Sequence, residues 1–283
     1  MRKRIKDLSY ALRIPKEDLI LISEKLDLNE SYFYKNWEEP KTDEKGNRRF
    51  DEKGVLLTRP INAPVDSLKR IQKRILENIF YKLSLPEYYF GGIKGKDAVL
   101  NSRYHQGNKF FFLTDLKDFY PSLTSRSVEN SLRKEGFYPD VSRLLTRICT
   151  KEGVIPQGCP TSSFLASLVV HHSVGDILDN YIKEGLKVSV YVDDLTISSP
   201  SDFKNRTPEI ISALRQRGLK INFKKTFYKT KNPVVTGTQV KNNGISPLPH
   251  TFERSKDLSI SEASRNGHKE RIKYINRISK KKV

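Results

Sequence analysis

Cysteine is almost absent from this chain: its 283 residues include two, Cys149 and Cys159. Two such residues, without companion ligands at usable spacing, exclude a disulfide framework and a zinc knuckle and fit a reducing compartment. Long apolar runs are missing too. None approaches the roughly 20 residues of a bilayer-spanning helix, and the basic start Met1-Arg2-Lys3-Arg4-Ile5-Lys6 lacks the apolar core of a secretory signal. A cytoplasmic protein with no membrane partner is expected. No internal repeat or low-complexity tract occurs, which excludes a solenoid or a wholly disordered tail.

Negative charge is in short supply. Against 33 acidic residues stand 52 Lys and Arg, a formal net charge of +19. That excess is extreme for an enzyme of small metabolites and favours a polyanionic partner. The positive charge is interleaved with apolar residues, as in Leu68-Lys69-Arg70-Ile71-Gln72-Lys73-Arg74-Ile75. With 36% hydrophobic and 10% aromatic residues, the composition is that of a folded protein with basic faces.

Residues 5–37 read as two short amphipathic helices, with Leu8, Ala11 and Leu12 on one face and Leu19, Ile22 and Leu26 on another. Between Glu38 and Thr58 the chain turns polar, with Gly46 and Gly54 as turn residues, and reads as a mobile hairpin or loop. Asp66 is the expected cap of a helix that turns Leu68, Ile71, Ile75 and Ile79 inward and leaves Lys69, Arg70, Lys73 and Arg74 free to face phosphates. Phe110 to Leu113 reads as a buried strand delivering Asp115 at its end. The segment through Phe164, Leu168, Ile177 and Tyr181 reads as a core helix, in which His171 and His172 serve packing or hydrogen bonding. A further helix is capped by Thr207, opened by Pro208 and closed by Gly218. From about Phe252 the chain is basic and partly helical, with Ile272, Ile275 and Ile278 apolar. Strand, helix, strand-turn-strand, helix, strand is an α+β order.

At Tyr191-Val192-Asp193-Asp194 two carboxylates fall in a tight turn between alternating segments, Val188 to Val192 and Leu195 to Ser198. Hard anionic oxygens on a rigid hairpin suit Mg²⁺; an ordinary solvated turn has the same composition. Joining nucleotides calls for two such ions roughly 4 Å apart, held by acidic residues from separate strands. Asp115, Asp193 and Asp194 supply that set if their strands are neighbours.

Here the chain resembles a reverse transcriptase. Phe111-Phe112-Leu113-Thr114-Asp115-Leu116-Lys117-Asp118-Phe119-Tyr120 is similar to the family's first catalytic motif. The resemblance implies catalysis and metal binding by Asp115, Asp193 and Asp194, a backbone metal contact at Leu116, and dNTP contacts at Asp118, Phe119 and Tyr120, the last as the aromatic gate against a 2′-OH. Ile155-Pro156-Gln157-Gly158-Cys159-Pro160-Thr161-Ser162 resembles the motif whose glutamine and glycine, here Gln157 and Gly158, lie near the incoming base and template. Arg59-Pro60-Ile61-Asn62-Ala63-Pro64 is similar to a fingers motif and makes Arg59 the triphosphate clamp. Gly218 to Thr226 resembles the motif whose lysine approaches pyrophosphate, a role open to Lys224 or Lys225. Val234-Val235-Thr236-Gly237 and the following Thr238 to Val240 look like the primer grip.

Two features resemble the retron branch. Asn101-Ser102-Arg103-Tyr104-His105 is similar to the retron signature Asn-Ala-x-x-His, and Val235-Thr236-Gly237 matches Val-Thr-Gly. Ser102 stands where alanine is usual, and Lys96-Asp97 where an Arg-Ser pair is common. The resemblance implies RNA or DNA contacts at Asn101, His105, Gly158, Thr236 and Gly237, joined by basic Lys69, Arg70, Lys73 and Arg74. It further implies a right-hand polymerase with an antiparallel palm sheet: N-terminal helices and fingers over 1–109, palm over 110–245 with finger helices inserted near 125–152, and a short basic thumb over 246–283. The implied partners are a structured non-coding RNA as template and primer, its cDNA, dNTPs and an effector protein in antiphage defence of a bacterial cell. The competing readings are an intron-derived, diversity-generating or other defence reverse transcriptase, a catalytically idle RNA-binding scaffold, and a palm-type nucleotide cyclase.

Overall fold

A computed structural model describes residues 4–43, 46–231 and 233–280. In chain order the elements are α1 (Ile5–Leu12), α2 (Lys16–Leu28), β1 (Tyr34–Pro40), β2 (Thr58–Pro64), α3 (Asp66–Asn78), α4 (Ala98–Tyr104), β3 (Phe110–Asp115), α5 (Phe119–Ser122), α6 (Ser125–Lys134) and α7 (Pro139–Cys149). There follow α8 (Ser162–Lys183), β4 (Lys187–Tyr191), β5 (Asp194–Ser199), α9 (Thr207–Gln216), β6 (Phe227–Lys229), β7 (Val234–Val235), β8 (Thr238–Lys241), β9 (Gly244–Ser246), α10 (Pro249–Lys256) and α11 (Glu262–Lys280). They sort into two units interleaved along the chain. Met1–Lys41, Arg48–Pro86 and Asp118–Gly175 form the first; Thr42–Asn47, Glu87–Lys117 and Asp176–Val283 form the second.

The first unit is mainly helical because its apolar residues recur at helical spacing. Leu8 and Leu12 of α1, Leu19 and Leu26 of α2, and Leu68 and Ile75 of α3 are all buried, as are Val141, Leu145 and Ile148 of α7. The exposed face of α3 carries Lys69, Arg70, Lys73 and Arg74. Gln72, at a position the apolar pattern passes over, is fully buried and donates from Nε2 to the Ile148 carbonyl at 2.9 Å. Phe80 stacks on Phe164 at 5.7 Å.

Three expectations are corrected here. The second N-terminal helix does not reach residue 37: Asn29, at φ −152°, leaves the helical region and ends α2, and Tyr34 begins β1. β1 pairs antiparallel with β2, from Tyr34 opposite Pro64 to Pro40 opposite Thr58. Pro60 and Pro64 have no amide to donate, which the edge strand of a two-stranded ribbon tolerates. Asp66 lies inside the first turn of α3 and does not cap it; Val65 holds the cap position without a side-chain bond, and the carboxylate sits where the helix dipole favours it. Thr207 is likewise the first helical residue of α9, preceded by Arg206 as cap. In the polar stretch, Gly54 at φ 79° closes a turn in which the Asp51 carboxylate accepts from the amides of Lys53 and Val55; residues 44–45 lie outside the described ones.

In the second unit the apolar run of β3 becomes a central strand. The sheet order is β4-β5-β3-β6, antiparallel throughout. Ser189 of β4 and Thr196, Ser198 and Ser199 of β5 are buried along with the apolar positions between them. A second sheet, β7-β8-β9, shares a small core with α4 and α11: Val99, Phe111, Val235, Val240, Ile245, Ile275 and Ile278.

Asp97 joins two of these elements. Its Oδ1 accepts from the amides of Val99 and Leu100, capping α4, and its Oδ2 accepts from the Tyr274 hydroxyl of α11 at 2.6 Å. Asp97→Ala should therefore destabilise the chain by about 2–4 kcal/mol, a lost cap and a lost charged hydrogen bond. Tyr274→Phe, which keeps the cap, should cost about 1 kcal/mol. Urea unfolding of both variants checks the ranking; equal costs would remove the cap from the account.

Candidate active site

Register brings the acidic residues together. In the β3 and β5 pair Asp115 lies opposite Asp194, and in the β4 and β5 hairpin Tyr191 lies opposite Asp194, so Val192 and Asp193 form a two-residue turn. Carboxylate oxygens of Asp115, Asp193 and Asp194 all lie within 4.8 Å of one another. Asp115 is buried and the other two half-buried. The Leu116 amide donates to the Asp193 carbonyl at 2.8 Å, tying the end of β3 to the turn.

Nearby positive and polar groups share Asp115. Asn222 Nδ2 donates to its Oδ1 at 2.9 Å, the Lys225 ammonium reaches Oδ2 at 2.6 Å, and the Asn222 amide donates to its backbone carbonyl. Of the two lysines named from the sequence, both exposed, Lys225 is the one that reaches the Asp115 carboxylate. Burial first, then repulsion by Asp193 and Asp115, pushes the Asp194 carboxyl up to about 7, with Lys225 opposing the rise. Three hard oxygen donors whose mutual repulsion is only partly relieved fit a divalent cation.

The retron-like signature turns inward. His105 is fully buried; its Nδ1 is 2.6 Å from Ser198 Oγ and its Nε2 2.7 Å from Ser189 Oγ. Burial pushes the ring down to about 3, so it is neutral and bridges β4 and β5 by hydrogen bonds. A direct RNA contact is not open to it in this conformation. Asn101 is buried as well, with Nδ2 3.4 Å from Thr236 Oγ1. Ser102, at the usual alanine position, donates to the Val235 carbonyl at 2.6 Å. Thr236 Oγ1 donates to the Ala98 carbonyl, so α4 and the Val-Thr-Gly turn are one assembly. Gly237 stays exposed, its carbonyl accepting from Arg271 at 3.2 Å.

The first unit gathers the residues expected near the nucleotide and template. The Gln157 carbonyl accepts from the Asn62 amide of β2 at 2.7 Å. Gly158 has φ 112°, and a Cβ there would meet Ile61 Cγ2 at 3.0 Å, which accounts for the glycine. Arg59 projects from β2, half-exposed, with Nε donating to Glu39 at 2.9 Å. Asp118 sits in the left-handed region at φ 51° just ahead of α5; Phe119 is buried, and the Tyr120 hydroxyl lies 3.1 Å from Ser163 Oγ. Sequence reasoning missed the roles of Asn222, Ser189 and Ser198, none of which differs in type from an ordinary surface polar residue.

Residues 51–275 match the family model described as "Reverse transcriptase (RNA-dependent DNA polymerase)". The chain belongs to that family. The chain is similar to several curated reverse transcriptases of retron type. It is 34% identical over 204 residues to the retron Se72 reverse transcriptase of Salmonella heidelberg (strain 579083-10), covering 67% of this chain and 53% of that protein. To the retron Ec86 and Ec48 reverse transcriptases of Escherichia coli it is 35% and 31% identical, over 59% and 81% of this chain and 53% and 57% of theirs. The chain thus spans about half the length of these relatives.

A raised Asp194 has a sign that stability can read. From its ordinary value of 3.8 up to about 7, the folded chain binds a proton the unfolded chain has lost, so without metal this carboxyl lowers stability as pH rises through that window. Asp194→Asn, uncharged at every pH, removes the contribution. The melting temperature of the variant minus that of the parent, measured in chelator, should grow from pH 4 to pH 8; a constant difference would refute the raised carboxyl.

Proposed function

We propose that the chain is an RNA-directed DNA polymerase of retron type that copies a cognate structured non-coding RNA into single-stranded DNA linked to that RNA. The observation that carries this is the convergence of Asp115, Asp193 and Asp194 oxygens within 4.8 Å, on neighbouring strands of one antiparallel sheet. The family match and the retron relatives support it.

In this reading the three carboxylates and the Leu116 backbone hold two Mg²⁺ ions. Bound there, the ions supply the charge that activates a primer hydroxyl and neutralises the triphosphate. Lys225, whose ammonium reaches Asp115 Oδ2 at 2.6 Å, would serve the leaving pyrophosphate as cation or general acid. Arg59 exchanges Glu39 for triphosphate oxygens, as a planar fork suits. Tyr120, with Asp118 and Phe119, lines the sugar side of the dNTP and excludes a 2′-OH; Gln157 and Gly158 lie along base and template. The primer hydroxyl attacks the α-phosphate in line and pyrophosphate leaves. The retron reading makes the first primer an internal guanosine 2′-OH of the RNA.

The layout that fits is a right hand with fingers to about residue 109 and again near 125–152, palm through 245 and a basic thumb beyond. Lys69, Arg70, Lys73, Arg74, Thr236 and Gly237 contact nucleic acid, while Asn101 and His105 act from within. An effector protein, antiphage defence and a bacterial cytoplasmic location complete the proposal. Among the described residues no helix is long and apolar enough to cross a membrane.

Asp193→Asn with Asp194→Asn should reduce dNTP incorporation to background while RNA binding, followed by filter retention, changes less than about threefold, since neither residue meets phosphate without metal. Undiminished synthesis would sink the site. Tyr120→Ala should raise the ribonucleotide to deoxyribonucleotide efficiency ratio by about 10- to 100-fold. Competition assays with matched rNTP and dNTP measure it, and an unchanged ratio removes the gate.

A further inference from the structure

The turn bearing Asp193 is strained. Val192, its first residue, has φ 57°, a region that a β-branched side chain enters at a cost. Such a conformation persists only where its surroundings over-determine it. Besides the Leu116 amide on the Asp193 carbonyl, those surroundings include the segment Tyr88 to Gly91. It lies along β4, whose other edge is taken by β5: the Val190 amide donates to the Tyr88 carbonyl at 2.9 Å, and the Phe90 amide donates back to the Val190 carbonyl at 2.8 Å. Tyr89 and Val190 form a parallel bridge, and the Gly91 amide reaches the same Val190 carbonyl at 3.4 Å.

At Gly91 the segment passes against the turn itself. A Cβ there would stand 2.3 Å from the Val192 nitrogen, 2.8 Å from Val192 Cγ2 and 3.1 Å from the Tyr191 carbonyl carbon. Two of the three are backbone atoms of the turn, so no rotamer change relieves the overlap. Gly91 itself is not in the left-handed region, and its own backbone would accept alanine. The constraint at this position is the approach of the turn.

We propose that Gly91 is a positioning residue of the nucleotidyl-transfer site: its missing side chain lets the Tyr88 to Gly91 segment seat the Val192-Asp193 turn so that Asp193 and Asp194 reach the cations held with Asp115. The inference rests on the metal reading of those three carboxylates. A side chain at Gly91 pushes the turn away by about 1 Å, and displacement of that size separates ligand atoms from a shared ion.

The test is Gly91→Ala in the full chain, with Mn²⁺ as the probe. Mn²⁺ binding to the RNA-free protein, followed by electron paramagnetic resonance, should weaken by about 10- to 100-fold, the range for residues that orient metal ligands. The rate of dNTP incorporation at saturating RNA should fall with it, while RNA affinity stays near that of the parent and the melting temperature in chelator drops by the cost of the overlap. Asp115→Asn runs alongside. If Asp115→Asn leaves Mn²⁺ binding unchanged, the metal reading fails and the inference with it. If Asp115→Asn weakens binding and Gly91→Ala does not, the inference alone is overturned. Should Gly91→Ala fail to fold, the pair Gly91→Ala with Val192→Gly, whose turn can yield, is compared with Val192→Gly alone: weaker Mn²⁺ binding in the pair supports the role, and equal binding refutes it.

Discussion

Repulsion among three carboxylates on adjacent strands is the constraint around which the second unit is organised. At an effective dielectric near 20, two unit negative charges about 5 Å apart repel by about 3 kcal/mol. Nothing in the hydrophobic pattern asks for that arrangement; the β3 to β5 register, with Asp115 opposite Asp194, imposes it. The metal-free chain meets the cost in three ways. Lys225 and Asn222 satisfy Asp115, Asp194 retains a proton to near neutral pH, and the Leu116 amide fixes the turn through the Asp193 carbonyl.

Holding charges that prefer to separate requires rigid backing, and the backing is polar. Ser189 of β4 and Ser198 of β5 would each be an unpaired buried hydroxyl in an apolar core, at a cost of about 1–3 kcal/mol apiece. His105 takes both, with Asn108 adding a donor to Ser198 at 2.7 Å. A neutral imidazole suits this, since it offers one donor and one acceptor across its ring and brings no further charge close to the site. Through α4 the same helix reaches Thr236 and, by way of Asp97, Tyr274 of the C-terminal helix. The strands that carry the catalytic candidates are therefore referenced to the region expected to grip primer and RNA.

Helices α1 to α3, the buried strand β3, the core helix α8 and the acidic hairpin were legible in sequence because each carries an apolar period or run, or a turn between alternating segments; α6 and α7 were expected only from the resemblance, as helices near 125–152. The ribbon of β1 and β2 was not. Its partner strands are separated by a long polar excursion, one carries two prolines, and Trp37 and Arg59 are exposed, so neither strand shows an apolar face. Local pattern could not separate that from loop. The carboxylate set was legible in identity, and its geometry was not, because nearness of Asp115 to Asp194 is a fact of sheet order. His105 misled for the opposite reason: a polar residue in a binding-type signature suggests contact with ligand, yet complete burial with two hydroxyl partners makes it part of the frame. Ser102 shows how a departure from pattern is absorbed, its hydroxyl finding the Val235 carbonyl.

The charge distribution sets an order on the proposed chemistry. A net charge of +19 favours polyanions at long range, and in the proposed function both the nucleic acid and the triphosphate are such ligands. Close to the site the sign reverses: three carboxylates within 4.8 Å repel phosphate oxygens and a primer oxyanion alike. Lys225 offsets one charge, and a proton on Asp194 offsets a second below its raised pKa, but neither supplies the divalent charge that bridges two anions. In the proposed reaction RNA binding would therefore need no metal, while the triphosphate and the attacking oxygen would. On that proposal polyanion capture and catalysis are separated by local charge on one polypeptide, so loss of the carboxylates should leave a binding protein and loss of the basic faces an enzyme without substrate.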